Sequence, residues 1–297
     1  MTRARRGNGL LETLVALPLI ALLGVVAIRL LLSVHRQVLH ADGVIGASRE
    51  LRHAASVLSA ELRVLRARDL VAWNDTVVEF DGTVGVGIVC ASGRGAGLLL
   101  LVAPSTASRN TDPVAATWNQ PPQAGDRVEA WLPGASPADM PTVASATLRA
   151  MSTGNECERS PLMPDGLAET TRLTLVDTLP GMVVAGAPVR VTRRTRYSLY
   201  RASDGDWFLG RRTRGSASWD IVQPVAGPLR SPRDRGLVIR VYDAQGAPVD
   251  GASAAQATRV SIELRAPRRS GSAAPRLVTN DSARIDVALR AERGPAP

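Results

Sequence analysis

The chain has 297 residues, of which 45% are hydrophobic and 3% aromatic. It is long enough for one large domain or two small ones, and its apolar content excludes disorder along its whole length. All 36 basic residues are arginine and the net charge is +9, which favours anionic partners such as nucleic acid, lipid headgroups or acidic polysaccharide without choosing among them.

The N-terminus combines a basic start with a long apolar run. Three arginines precede Gly7, and the apolar run from residue 14 continues past Arg29 into three further leucines. This run is longer than the apolar part of a secretory signal peptide, and no small-residue cleavage motif follows promptly. A plain signal anchor accounts for the length, because about 20 apolar residues span a bilayer. It leaves Glu12 unexplained, since a carboxylate at the edge of a membrane segment costs free energy and suggests a function.

Residues 6–17 resemble the class III signal of prepilins, in which a basic leader ends in glycine and a glutamate stands five residues beyond the cut. Gly7 and Glu12 keep this register. The resemblance implies that a prepilin peptidase cuts between Gly7 and Asn8 on the cytoplasmic side and that Asn8 is then N-methylated. It also implies that the apolar helix becomes a filament core, in which Glu12 meets the positive amino terminus of a neighbouring subunit.

After Val34 the pattern changes to an amphipathic helix. Apolar residues recur at steps of three and four, as expected for one buried helix face: Leu51, Ala55, Leu58, Leu62 and Leu65. We therefore predict one helix from Leu10 to about Arg68, with Pro18 kinking or locally melting it. The N-terminal part of the chain thus divides into a leader (1–7), a transmembrane or filament-core helix (8–33) and an amphipathic helix (34–70). The amphipathic stripe packs on the chain's own sheet, or lines neighbouring subunits as well.

Residues 71–292 predict a β-rich head, followed by a frayed tail at 293–297. Short β-branched and aliphatic runs alternate with Gly, Pro, Asp and Asn, without helical periodicity. The fold class is thus α+β, a long N-terminal helix packed on an antiparallel β-rich head. The glycine-rich runs 82–87 and 93–97 are interpreted as turns. Predicted strands are 76–80, 84–90, 98–102, 127–132, 142–149, 172–177, 189–200, 207–214, 237–242, 260–265 and 284–289.

The clearest local unit is a hairpin that turns at Asp204-Gly205. Its first strand carries Arg193, Arg194 and Arg196, alternating with Val, Thr and Tyr. Two interpretations stay open for these arginines. They form either a solvated face of the sheet or a candidate anion-binding ribbon for DNA or a glycan, because arginine pairs well with phosphate.

Residues 219–225, 236–246 and 258–265 resemble the C-terminal half of PilW-type minor pilins and of the J-type pseudopilins of type II secretion. The resemblance implies a subunit that helps to start a type IV pilus or a pseudopilus, at or near its tip. Its partners would be the prepilin peptidase, other major and minor pilins or pseudopilins, and the inner membrane. The helix would cross that membrane once, with the N-terminus in the cytoplasm and the head outside, before the subunit enters the filament.

The two cysteines, Cys90 and Cys157, predict one disulfide in an exported chain. The alternative is two buried free thiols. Because no histidine follows His53, Ser-His-Asp catalysis and most zinc sites are excluded for the head, and we expect no catalytic residues, cofactor or metal. Several aspartates near turns are attributed to turn formation, namely Asp204, Asp206, Asp234 and Asp243.

Overall fold

The computed structural model describes residues 9–91, 93–94, 97–102, 116–132, 142–159, 170–179, 182–267 and 282–290. One long helix, α1 (Gly9–Leu62), is followed by strands and four short 3-10 helices, at Ala67–Asp69, Glu156–Arg159, Pro232–Asp234 and Gly251–Gln256. The strands are β1 (Leu70–Asn74), β2 (Val77–Ile88), β3 (Gly93–Arg94), β4 (Leu98–Val102), β5 (Thr117–Trp118), β6 (Arg127–Leu132), β7 (Thr142–Gly154), β8 (Thr170–Leu175), β9 (Met182–Val183), β10 (Pro188–Arg201), β11 (Trp207–Thr213), β12 (Gln223–Leu229), β13 (Leu237–Tyr242), β14 (Arg259–Arg265) and β15 (Ser282–Ala288).

The helix ends earlier than predicted. It stops at Leu62 rather than near Arg68, and it passes through Pro18 without interruption, so the predicted local melting there is wrong. The early end has a tertiary cause. The Leu65 carbonyl accepts a hydrogen bond of 2.8 Å from the Arg290 amide, and Arg66 and Arg290 form a parallel bridge. Pairing with the chain beyond β15 therefore replaces the last helical turns.

The second half of α1 packs on the head through one stripe. The fully buried residues are Leu51, Ala54, Leu58 and Leu62, which recur at steps of three and four. The predicted stripe was right except for Ala55, which is only half-buried. The helix contacts β12, β14 and β15. The packing of the amphipathic helix on the chain's own sheet is thereby confirmed.

The strands that the structure describes form three sheets, and every pairing between them is antiparallel. The largest runs in the order β1-β2-β10-β6-β7-β8-β4, with β11 and β12 continuing from β10 and with β5 on β2. The others are β13-β14-β15 and β3-β9. The predicted hairpin joins β10 to β11, and Gly205 in its turn has a φ of 92°. The predicted α+β class is confirmed at this level.

Several predicted strands have the observed bounds, among them β4, β6 and β13. The predicted strands 76–80 and 84–90 are one continuous strand, β2, and five strands were missed: β1, β3, β5, β9 and β12. The missed strands are short, or contain proline as β12 does, so their local pattern is weak. The Pro-rich segments and the tail at 293–297 lie mostly outside the described residues.

The glycine-rich run 82–87 is a strand interior and not the predicted turn. Gly82, Gly85 and Gly87 all lie in β2. A Cβ atom on Gly85 would collide with the Trp118 ring and the Thr117 carbonyl, and one on Gly87 would crowd Ala116. These glycines therefore let β5 lie directly on β2, an arrangement that depends on a segment 30 residues away and not on local turn chemistry.

The described core has two large parts on the same large sheet, and Cys90 and Cys157 form a third, small cluster. One joins the second half of α1 to the β13-β14-β15 sheet and the adjoining ends of β2, β10, β11 and β12. The other lies between β2, β4, β6, β7, β8 and the start of β10. The long strands β2 and β10 contribute to both, so they couple the helix-bearing part of the head to the rest.

Candidate functional site

The N-terminal half of α1 exposes a long apolar surface, which Arg29 interrupts. Residues Ala16–His35 are long and apolar enough to cross a membrane, and no described side chain in this stretch is buried. Leu17 is 69% exposed and Leu31 70%. Apolar surface of this extent is unfavourable in water, so the segment needs lipid or other apolar helices around it. The helical, membrane-compatible N-terminus that the sequence predicted is thus present.

The residues predicted for processing and assembly lie at the very start of this helix. Gly7 and Asn8 are outside the described residues. Glu12 lies in the first turns of α1, but its side chain is not among those described. Cleavage after Gly7, methylation of Asn8 and the assembly role of Glu12 therefore remain predictions.

The predicted disulfide between Cys90 and Cys157 is present. It joins residues 67 apart in sequence, with 5.6 Å between their Cα atoms. Both cysteines are fully buried, and the Cys157 amide donates a 2.7 Å hydrogen bond to the Thr170 hydroxyl oxygen. The disulfide fastens the 3-10 turn Glu156–Arg159 to the chain at the end of β2, and the hydrogen bond fastens the same turn to β8.

The three arginines predicted as an anion-binding ribbon already have carboxylate partners. Arg194 donates from Nε to Asp81 Oδ1 at 3.0 Å, and Arg196 donates from Nε to Glu79 Oε1 at 2.7 Å. Both pairs face each other directly across β10 and β2. The third, Arg193, is 7% exposed and holds a buried carboxylate. This surface is a ladder of cross-strand ion pairs, so its charge is largely neutralised within the chain.

Arg193 donates two hydrogen bonds to one buried carboxylate. Its Nε lies 2.7 Å from Asp126 Oδ1, and its Nη2 lies 2.8 Å from Asp126 Oδ2. The same Nη2 also donates to the Pro121 carbonyl at 2.9 Å. The two-point geometry is that of a strong arginine–carboxylate pair. It fixes the segment before β6 against β10.

A second buried arginine anchors the chain that leaves α1. Arg190 donates from Nη1 to Asp69 Oδ1 at 2.8 Å and from Nη2 to Asp69 Oδ2 at 3.0 Å. Asp69 is 2% exposed and Arg190 7%. Glu129 lies 3.7 Å from Arg190 and 3.8 Å from Arg68. A buried charge is tolerated only when paired in this way, so the network fixes the junction between helix and sheet.

These elements enclose a cleft of about 700 Å³ between the end of α1 and strands β2, β6 and β10. We call it the arginine cleft. Its described lining includes five arginines but a single carboxylate, Glu61. The arginines are Arg66, Arg190, Arg193, Arg211 and Arg290.

Apolar and aromatic groups share the cleft wall with these charges. Val64 is 41% exposed and Val86 49%, and both line the cleft together with Trp131. The Arg66 guanidinium lies 5.7 Å from the centre of the Trp131 ring. Clefts of roughly 300–1,000 Å³ with mixed apolar and polar walls are typical of small-ligand sites.

A polar cluster lies where the last turn of α1 meets the sheet. Arg211 Nε is 3.4 Å from Glu61 Oε1, and both side chains act on the buried Tyr197 hydroxyl, although among the described groups neither that nitrogen nor the hydroxyl makes a well-formed hydrogen bond. Burial and the nearby Glu61 carboxylate raise the pKa of Tyr197 well above its usual range. The phenol is therefore neutral at physiological pH.

The sequence singled out Arg193 of the cleft lining, but it did not indicate the other cleft residues. Arg66, Trp131 and Arg290 are separated by 65 and 159 residues in the chain, and no motif connects them. The one available signal was the density of arginines in β10, which did not show which face each would occupy. Their meeting depends on the strand order, which brings β6 beside β10 and the end of β15 beside the end of α1.

Three of the aspartates attributed to turns accept hydrogen bonds from groups within their own turns. Asp204 accepts from the Asp206 amide at 3.0 Å, and Asp243 accepts from the Gln245 and Ala247 amides at 3.0 and 2.7 Å. Asp234 accepts from the Ser231 hydroxyl at 2.7 Å. Across the described ranges, no three His, Cys, Asp or Glu side chains gather as a metal site would require.

Together these features define a class of protein in which one long N-terminal helix, apolar in its first half, carries a disulfide-bonded, β-rich head. No family model, curated protein or solved structure matches the chain.

Proposed function

We propose that this chain is a minor pilin or pseudopilin, which a prepilin peptidase processes and which then helps to start a type IV pilus or type II secretion pseudopilus at or near its tip. The observation that carries the proposal is the register of the N-terminus. A basic leader, Gly7, Glu12 and the apolar run must all keep their spacing for the class III signal, and they do.

The architecture supports this proposal in two ways. The apolar half of α1 has no partner in the described chain, as a helix that moves from lipid into a filament core requires. The other half is anchored to the head by a buried stripe, and the 3-10 turn that follows it is held by the Arg190–Asp69 pair. A helix held at one end and free at the other is compatible with a head outside the membrane and an apolar half within it.

In this proposal the N-terminus stays in the cytoplasm, because arginines favour that side of the inner membrane. Glu12 meets the positive amino terminus of a neighbouring subunit, and the ion pair is strengthened by its apolar surroundings. The partners are the prepilin peptidase, other pilins or pseudopilins, and the inner membrane. The second candidate function is a tip subunit that binds DNA or a glycan, and the mixed polar and apolar lining of the arginine cleft favours the glycan.

The test is co-expression of the full chain with a prepilin peptidase, followed by the intact mass of the purified protein. We expect the loss of residues 1–7 and a further mass of one methyl group. A Gly7→Arg variant should remain uncut, whereas Gly9→Ala should be cut like the wild type. An intact N-terminus in the presence of active peptidase would show instead a signal-anchored protein unrelated to filaments.

The assembly role of Glu12 is tested separately. A Glu12→Leu variant should be cut normally, because the peptidase reads the glycine, but it should fail to cross-link to other pilins in sheared filaments. Normal incorporation of this variant would remove Glu12 from the assembly mechanism while leaving the processing result untouched.

A further inference from the structure

We propose that the arginine cleft binds a carboxylate-bearing saccharide, of the class of short uronic acid oligomers. The inference rests on the cleft and not on the filament role, so it can hold or fail independently of the proposed function.

The arginines of the cleft differ in whether a carboxylate neutralises them. Arg190 and Arg193 are each neutralised by a buried aspartate, and Arg211 lies beside Glu61. Within the described ranges, no carboxylate pairs with the guanidinium of Arg66 or of Arg290. The backbones of these two residues are bridged side by side, and both residues line the cleft, so its wall carries two adjacent cationic residues. Adjacent like charges are unfavourable until an anion joins them, and guanidinium groups bind carboxylates through paired hydrogen bonds.

The cleft lining also carries uncharged groups that suit the neutral part of the ligand. Asn119, Gln120 and Thr117 add amide and hydroxyl groups to the lining, and these groups both donate and accept hydrogen bonds. Trp131 supplies an apolar ring with a polar edge. Sugar rings present hydroxyl groups around their rim and C–H bonds on their faces, so this combination suits them.

The cleft does not offer an extended peptide a strand to pair with. A peptide that adds a strand needs a free sheet edge. At the cleft, β2 has β10 on one side, while on the other Gly85 pairs with Trp118 and the Val84 carbonyl accepts from the Asn119 amide at 2.8 Å. Recognition here must come from side chains, which favours a compact ligand.

The form of the site also disfavours nucleic acid. Single strands are bound along a basic groove with a series of stacking aromatic rings. The described cleft lining holds one aromatic side chain, Trp131, and so offers no series of stacking rings. The cross-strand ladder of Arg194 and Arg196 outside the cleft is neutralised, so it offers phosphates no continuous path.

The experiment measures calorimetric binding of trigalacturonate to the full chain in detergent micelles at low salt. Maltotriose is the neutral probe of equal length, and pentaglutamate and a short single-stranded DNA are the other anions. We expect trigalacturonate to bind, maltotriose not to bind, and the two other anions to bind at least about tenfold more weakly. Affinity should fall as salt is raised.

The variant pair separates the cleft from general charge. Arg66→Gln with Arg290→Gln should weaken trigalacturonate binding by about tenfold or more, as expected for losing charge-assisted hydrogen bonds. Arg149→Gln with Arg240→Gln removes the same charge from exposed positions on β7 and β13 and should leave affinity within about twofold. Because Arg290 is exposed, Arg290→Gln alone preserves folding and should show a smaller loss of affinity.

Three results would overturn the inference. They are no binding of trigalacturonate at low salt, equal loss of binding in the cleft and control variants, or tighter binding of pentaglutamate or DNA than of trigalacturonate.

Discussion

At the scale of single residues, the head is organised by buried arginines. Arg190 and Arg193 each hold one aspartate through two hydrogen bonds, and all four side chains are at least nine-tenths buried. In a chain without lysine these pairs use the planar guanidinium, whose donors match the two oxygens of a carboxylate. This geometry fixes the segments that carry Asp69 and Asp126 on β10, in addition to apolar packing.

Asp69→Asn should destabilise the head strongly. It leaves Arg190 buried with a neutral partner, and breaking a buried pair costs about 3–5 kcal/mol. The measurement is the thermal unfolding midpoint of the full chain in micelles. Asp286→Asn, which breaks the exposed pair with Arg284, is the control and should change the midpoint little. Equal effects of the two substitutions would show that the buried pair is not a special anchor.

Tyr197→Phe should be tolerated at neutral pH, because the buried hydroxyl makes no well-formed hydrogen bond to the described groups, so its removal costs little. The difference appears in alkali. The pKa of Tyr197 is raised in the folded chain, so the stabilisation is complete below the unfolded pKa of about 10 and is lost as pH rises above it. Unfolding midpoints between pH 8 and 11 should fall less steeply in the variant. The same fall of the midpoint with pH in wild type and variant would contradict a raised pKa of Tyr197 in the folded chain.

At the scale of elements, α1 is one helix with two surroundings. Its first half exposes apolar side chains, and its second half buries Leu51, Ala54, Leu58 and Leu62 in the core. Continuous helix geometry joins the two because it satisfies the backbone in lipid and in protein alike. The tertiary contacts, and not the helix itself, distinguish the halves.

Leu58→Ala and Leu31→Ala make the same chemical change in these two surroundings. Leu58 is 1% exposed and Leu31 70%. We expect Leu58→Ala to lower the free energy of unfolding of the head by about 2–5 kcal/mol, through lost apolar burial and the cavity left behind. Leu31→Ala should leave it unchanged. Urea unfolding of both variants in micelles measures the difference, and a large effect of Leu31→Ala would mean that the first half also packs on the head.

At the scale of the whole molecule, two large core clusters share the strands β2 and β10, and the disulfide forms a small third cluster beside the one that includes β4 and β8. Cys90 follows β2, and Cys157 packs near Leu100 and Leu101 of β4. The helix and the β13-β14-β15 sheet belong to the other cluster. Loss of the bond should therefore affect the two clusters unequally.

The double variant Cys90→Ser with Cys157→Ser should lose about 2–5 kcal/mol of stability, because the unfolded chain is no longer constrained. Hydrogen exchange should quicken more in β4 and β8 than in β13 and β14. Reduction of the wild type should give the same pattern. Uniform acceleration across both clusters would show that they unfold as a single unit.

Much of the fold could be predicted because its signals are local. The bounds of β4, β6 and β13, the Asp204-Gly205 turn and the buried stripe of α1 follow from periodicity and turn chemistry within a few residues. The disulfide followed from there being only two cysteines. The glycines of β2 were misread, since their reason, the Trp118 ring, lies far away in the chain.

The sequence by itself determined the long apolar helix, the β-rich head and the spacing of Gly7, Glu12 and the apolar run, because each depends on neighbouring residues. Only the tertiary structure decided that α1 ends at Leu62, that Arg194 and Arg196 are paired across strands, and that Arg66, Trp131 and Arg290 share one cleft. The physical reason is that a local pattern sets the conformation of a segment, whereas the strand order sets which distant side chains meet.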